Sequence, residues 1–280
     1  THPQFEPRID RNALASFLRF SYVPAPYSIY KGIKKLLPGH LLYLKSPLSE
    51  NNPQPYWSLQ EVMRTSERDP FSGSEREVVD ELEKRLKKTI KSRMVSDVPL
   101  GAFLSGGIDS STVVALMQTQ SDHPVNTFTI GFHEQDFNEA VYAKKVAKLL
   151  GTNHTELYVT SQEAMDVIPK LPKMYDEPFA DSSQIPTHLI SVLARKHITV
   201  SLSGDGGDEL FAGYNRYLIA ERLWKVTSRI PNVLKNKTAD LVAGISPENI
   251  ERFYGKIEGI LPQKMKVSQP TEKFYKLARA

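Results

Sequence analysis

Between Ser74 and Leu202 the apolar residues follow two alternating rhythms. Val78, Leu82, Leu86, Ile90 and Met94 fall every four positions, the repeat of one helix face, and Ser74 with Glu77 has capping-box spacing, so a helix of about five turns is predicted. Beyond it, runs rich in Val, Ile, Leu and Phe predict strands at about 99–104, 125–131, 154–159 and 198–203. Helices are predicted between them at about 110–120, 138–150, 161–173 and 184–196, the second stopped by Gly151. Buried strands alternating with helices imply an α/β fold with a parallel sheet covered on both faces, which takes ligands at the carboxyl ends of its strands.

The flanks are less regular. Residues 10–20 predict a short helix capped by Asp10, with Ala13, Leu14, Phe17 and Leu18 on one face. Pro24, Pro26, Gly32, Pro38 and Gly39 then interrupt the chain before Leu41 to Leu44, read as a strand, and before Tyr56-Trp57. The charged, Ser/Thr-rich stretch 58–73 reads as a linker. After Tyr217 the pattern is helical but broken at Pro231, Gly244, Pro247, Pro262 and Pro270.

Composition removes whole classes of chemistry. The 280 residues include no Cys, which excludes disulfides, thiolate zinc sites and cysteine nucleophiles from this chain and makes the cytoplasm the expected compartment. No apolar run nears the roughly 18 residues of a membrane helix, so no membrane partner is expected. A net charge of +4 would suit nucleic acid, but the excess of Lys and Arg lies from Arg216 onward and reads as a solvated or partner-facing surface. Thr1-His2-Pro3-Gln4 has neither an initiator Met nor a signal-peptide layout and reads as the start of an internal excerpt.

Two glycine turns carry the candidate chemistry. The run Leu104-Ser105-Gly106-Gly107-Ile108-Asp109-Ser110-Ser111 leaves the first strand and opens a helix. Its glycines permit close approach of backbone N–H groups to an anion, the helix N-terminus adds partial positive charge, and three serines add hydroxyl donors. Asp109 would repel phosphate unless a cation such as Mg²⁺ lies between them. The Lys of the β/γ-phosphate P-loop is missing. A second turn, Ser203-Gly204-Asp205-Gly206-Gly207-Asp208, comes after the last strand and brings more acids toward the same sheet edge.

Ser105-Gly106-Gly107-Ile108-Asp109-Ser110-Ser111 resembles the PP-motif of the ATP pyrophosphatases, and Ser203-Gly204-Asp205-Gly206-Gly207-Asp208-Glu209-Leu210-Phe211-Ala212-Gly213-Tyr214 resembles a signature of the glutamine-dependent (class B) asparagine synthetases. Ser96-Asp97-Val98-Pro99-Leu100-Gly101 and Tyr175-Asp176-Glu177-Pro178-Phe179-Ala180-Asp181-Ser182-Ser183 agree with that family. The resemblance covers about residues 10–57 and 76–217. It implies an adenine-nucleotide α-hydrolase-like domain over 74–217 with a helical, incomplete segment over 218–280, and residues 1–57 as the end of an N-terminal glutaminase domain, as in Ile33-Lys34-Lys35-Leu36-Leu37-Pro38-Gly39-His40.

The same resemblance implies roles. Ser105, Gly106, Gly107, Asp109, Ser110 and Ser111 would hold the pyrophosphate of ATP, and Asp109 and Asp208 would share Mg²⁺. Leu104, Ile130, Ser203 and Gly204 would enclose the adenosine, Asp205 would serve the acyl-adenylate, and Glu177 and Asp181 would lie on the ammonia and amino-acid side. Implied partners are ATP, aspartate or another carboxylate such as a sugar acid, and ammonia or glutamine, with a homodimer in the full-length family member. A nucleic-acid-modifying PP-loop enzyme is the alternative from another class.

Overall fold

The structure is a computed structural model that describes residues 4–46, 52–133, 138–228 and 244–258. The chain divides into two compact units, Thr1–Asp205 and Gly206–Ala280.

In the first unit four strands form one sheet: β3 (Leu100–Phe103), β4 (Asn126–Phe132), β5 (Asn153–Val159) and β6 (Val200–Leu202). Their order is β5-β4-β3-β6 and every pairing is parallel, with Ala102 opposite Thr127 on one side and Leu202 on the other. The chain therefore builds outward from β3 through β4 to β5, then returns to add β6 on the opposite flank. A switch point in strand order lies between β3 and β6, which is where an open α/β sheet leaves a crevice at its carboxyl edge.

Helices cover both faces, as the apolar rhythm requires. On one face α3 (Glu75–Arg93), α4 (Ile108–Gln118) and α5 (Ala140–Leu150) enclose a core of Ile90, Leu104, Val114, Met117, Val125 and Ala147. On the other, α8 (Gln184–Ala194) packs Leu193 and Ala194 on Phe128 and Ile198. Ser74 and Glu77 form the expected capping box, and Gly151 ends α5 in the left-handed conformation.

The chain departs from its sequence pattern in three places. The 58–73 stretch contains a helix, α2 (Leu59–Arg68), because Leu59, Val62 and Met63 share one face among the polar residues. The helix expected over 161–173 is broken into α6 (Ser161–Met165), a 3₁₀ turn (Ile168–Lys170) and α7 (Leu171–Met174), since Pro169 and Pro172 lack the N–H that would continue it. Of the apolar run at 41–44 only Leu41 is in a strand, β1 (His40–Leu41), paired antiparallel with β2 (Gln54–Pro55).

The N-terminal residues share the first unit. Asp10 caps α1 (Arg11–Phe20) by accepting from the N–H groups of Asn12 and Ala13, and Ala13 joins Val23 and Ile29 in a small core of its own. The second unit holds α9 (Gly207–Phe211), α10 (Asn215–Thr227) and a helix over Pro247–Glu258. The breaks expected at Pro231, Pro262 and Pro270 lie outside the described residues. No helix among the described residues is long and apolar enough to cross a membrane.

Candidate functional site

The first glycine turn sits at the carboxyl end of β3. Leu104 donates its N–H to the Phe128 carbonyl (2.9 Å) as a last tie to the sheet, and its side chain is buried in the core, so what it offers the turn is backbone. Gly106 then adopts φ +82°, a left-handed value that glycine alone takes without strain. A Cβ there would meet the Ala143 nitrogen at 2.6 Å, so the turn is also pressed against α5.

Serine hydroxyls shape the rest of the turn. Ser110 Oγ accepts from the Ser105 N–H (3.2 Å) and shares a hydrogen bond with Ser105 Oγ (2.9 Å), while the Gly107 N–H donates to Ser105 Oγ (3.3 Å). Gly107 is the N-cap of α4 and supplies no capping side chain, so the helix presents N–H groups at its N-terminus with Asp109 in the first turn. Ser111 Oγ is buried and, among the described residues, lacks a hydrogen-bond partner. Such a group carries a desolvation penalty unless something completes it.

The second turn closes on the first. A Cβ on Gly204 would stand 2.7 Å from the Ser110 nitrogen and 3.1 Å from Asp109 Cβ. Two turns at the ends of neighbouring strands β3 and β6 are thus in van der Waals contact at the switch point. Ser203 Oγ donates to Asp205 Oδ2 (2.8 Å), which orients that exposed carboxylate. Ile130 is half-buried at the carboxyl end of β4, opposite Leu157 of β5.

The remaining candidates have different surroundings. Asp181 accepts from the Ser183 N–H (2.8 Å), and that backbone bond, with help from the Ser183 side chain, holds its carboxyl below the usual carboxylate range. Glu177 is in an ion pair with Lys35 and also accepts from the Ile29 N–H (3.1 Å). Asp208 lies in the second unit, where the Gly213 N–H donates to its carbonyl (3.0 Å). No motif in the sequence marks Lys35 or Ile29 as a site residue. They lie more than 140 positions from Glu177, and no local spacing announces the contact.

Among the described residues no group of three or more His, Cys, Asp or Glu side chains could hold a metal ion. The Asp109 carboxylate at the turn fits a hard cation whose other ligands are oxygens of an anionic ligand, the habit of Mg²⁺.

Comparison with known proteins decides between the families that use such turns. The asparagine synthase family model matches residues 81–279, and a glutamine amidotransferase domain model matches residues 1–57. The chain belongs to the asparagine synthase family. It is 39% identical over 216 residues to the protein named asparagine synthetase (glutamine-hydrolysing) 2 of Methanocaldococcus jannaschii, with 77% of this chain and 40% of that protein covered. It is 35% identical over 243 residues to asparagine synthetase (glutamine-hydrolysing) 1 of Bacillus subtilis, with 86% of this chain and 37% of that protein covered. This member of the asparagine synthase family thus spans about two fifths of the length of those relatives.

Proposed function

We propose that the chain carries the ATP-using part of an amide-forming reaction, in which a carboxylate, best assigned as aspartate, is activated as an acyl-adenylate and then attacked by ammonia. The observation that carries the reading is the contact of Gly204 with Asp109 and Ser110 at the switch point, in a chain that matches the asparagine synthase model.

In the first step a carboxylate oxygen of the acceptor attacks the α phosphorus of ATP. The bond from that phosphorus to the bridging oxygen breaks and pyrophosphate leaves. Ammonia then adds to the acyl carbon, the bond from that carbon to the AMP oxygen breaks, and the nitrogen loses a proton. The N–H groups of Gly106, Gly107 and the α4 N-terminus, with the Ser105, Ser110 and Ser111 hydroxyls, bind the departing pyrophosphate. Ile130 and the Ser203-Gly204 backbone flank the nucleoside, and Asp205, Glu177 and Asp181 serve the acyl and ammonia side. Mg²⁺, held by Asp109 and phosphate oxygens, would neutralise charge on the leaving group. Holding both anions in line supplies the largest saving, because the attack becomes effectively intramolecular.

The test is calorimetry of ATP binding with and without Mg²⁺, combined with conversion of labelled aspartate in the presence of ATP and ammonium. Asp109→Ala is expected to abolish the Mg²⁺ dependence of binding, and the complete protein its gene encodes is expected to release pyrophosphate and form asparagine in equal amounts, whereas this chain alone is expected to form little or none. Nucleotide binding that ignores both Mg²⁺ and the substitution, with no amide formed by the complete protein its gene encodes, overturns the reading.

A further inference from the structure

The Lys35–Glu177 pair joins the segment matched by the glutamine amidotransferase model to the segment matched by the asparagine synthase model. It is one of several ties in a single place. Lys35 Nζ also donates to the Val23 carbonyl (2.5 Å), and the Lys35 backbone N–H donates to the Pro26 carbonyl (2.9 Å). On the other side, the second Glu177 oxygen takes the Ile29 N–H, and the Ala180 N–H donates to the Ser21 carbonyl (2.8 Å). Both ends of the stretch 177–180 are fastened to residues 21–35.

The pair is sheltered: the Lys35 side chain is 35% exposed and that of Glu177 24%. Each charge keeps a second polar partner, which is the arrangement that offsets desolvation. Beside it lies a cavity of about 410 Å³ whose walls include Phe17, Tyr30, Tyr175 and Phe179. The stretch leads through Asp181 and Ser183 into α8, and a helix that precedes a parallel strand starts at the carboxyl edge of the sheet. The turn that carries Glu177 and Asp181 therefore lies at the level of that edge, and its position is set from outside the sheet.

We propose that Lys35 is a positioning residue for amide formation: a side chain of the amidotransferase-matched segment holds Glu177, and with it the turn that carries Asp181, in place for the synthase-matched site. The inference rests on the function proposed above. Its consequence is that Lys35 governs the step after nucleotide binding, since none of its partners belongs to the glycine turns.

The experiment uses the complete protein its gene encodes, with ammonium as nitrogen donor so that glutamine hydrolysis plays no part. Lys35→Met is expected to lower kcat for amide formation about tenfold, the scale of a small misplacement at a reacting centre. KM for ATP and calorimetric ATP affinity should stay within about twofold, since uniform binding is untouched. Lys35→Arg, which keeps the charge, is expected to recover most of the rate. Unchanged kcat in Lys35→Met overturns the inference. So does a parallel fall of kcat, ATP affinity and melting temperature, the mark of a purely structural strut. A wild type that binds ATP and forms no amide overturns the functional reading itself, a result distinct from a wild type that turns over and a variant that matches it.

Discussion

Ser111 offers a substitution in which stability and binding should move in opposite directions. Its hydroxyl is buried without a partner among the described residues, so in the free protein it carries a cost. Ser111→Ala is expected to raise folding stability by up to about 1 kcal/mol in urea titration and to weaken ATP binding in calorimetry, because the group that was waiting for a phosphate oxygen is gone. A loss of stability with unchanged affinity would assign Ser111 to the fold instead. Gly204 makes the complementary case. The Cβ of Gly204→Ala would meet backbone at 2.7 Å, which cannot swing aside as a side-chain end could, so the turns must part and ATP affinity is expected to fall at least about tenfold. Both turns were legible from glycines placed after strands. The partners of Glu177 were not, because a contact between distant segments leaves no periodic trace.

Among the elements, β5 carries a titration of its own. His154 is paired across the sheet with Thr127, whose hydroxyl meets His154 Nδ1 at 2.9 Å, and its Nε2 is buried. Burial lowers its pKa from the ordinary value of 6.5, against a smaller opposing pull from Glu156. The unfolded chain therefore takes up a proton on acidification before the folded chain does, and stability falls as pH drops below 6.5. Urea titrations at pH 7 and pH 5 are expected to show a larger loss in wild type than in His154→Gln. Equal losses would place the proton elsewhere. The sheet and its covering helices could be read from periodicity because their apolar residues are buried in regular stripes. The helix α2 escaped because none of its residues is buried and its polar content outweighs three apolar positions. The break between α6 and α7 was written in Pro169 and Pro172 and was outweighed by the apolar residues around them.

At the scale of the molecule, residues 4–46 are packed into the same unit as the sheet, yet they match a different family model from the rest. With no Cys anywhere in the sequence, this chain is expected to release no glutamate from glutamine above background. Glutamate release that survives repurification would reveal a different nucleophile. The strand order has a further consequence, for the order of folding. β3 is made early and β6 late, yet they are neighbours, so their pairing is non-local and closes a long loop at a cost in chain entropy. Until β6 docks, Gly204 is away from Ser110 and the crevice has one wall. A nucleotide that binds only the docked state draws the last strand into place by mass action, so the ligand acts as the final element of the fold as well as its cargo.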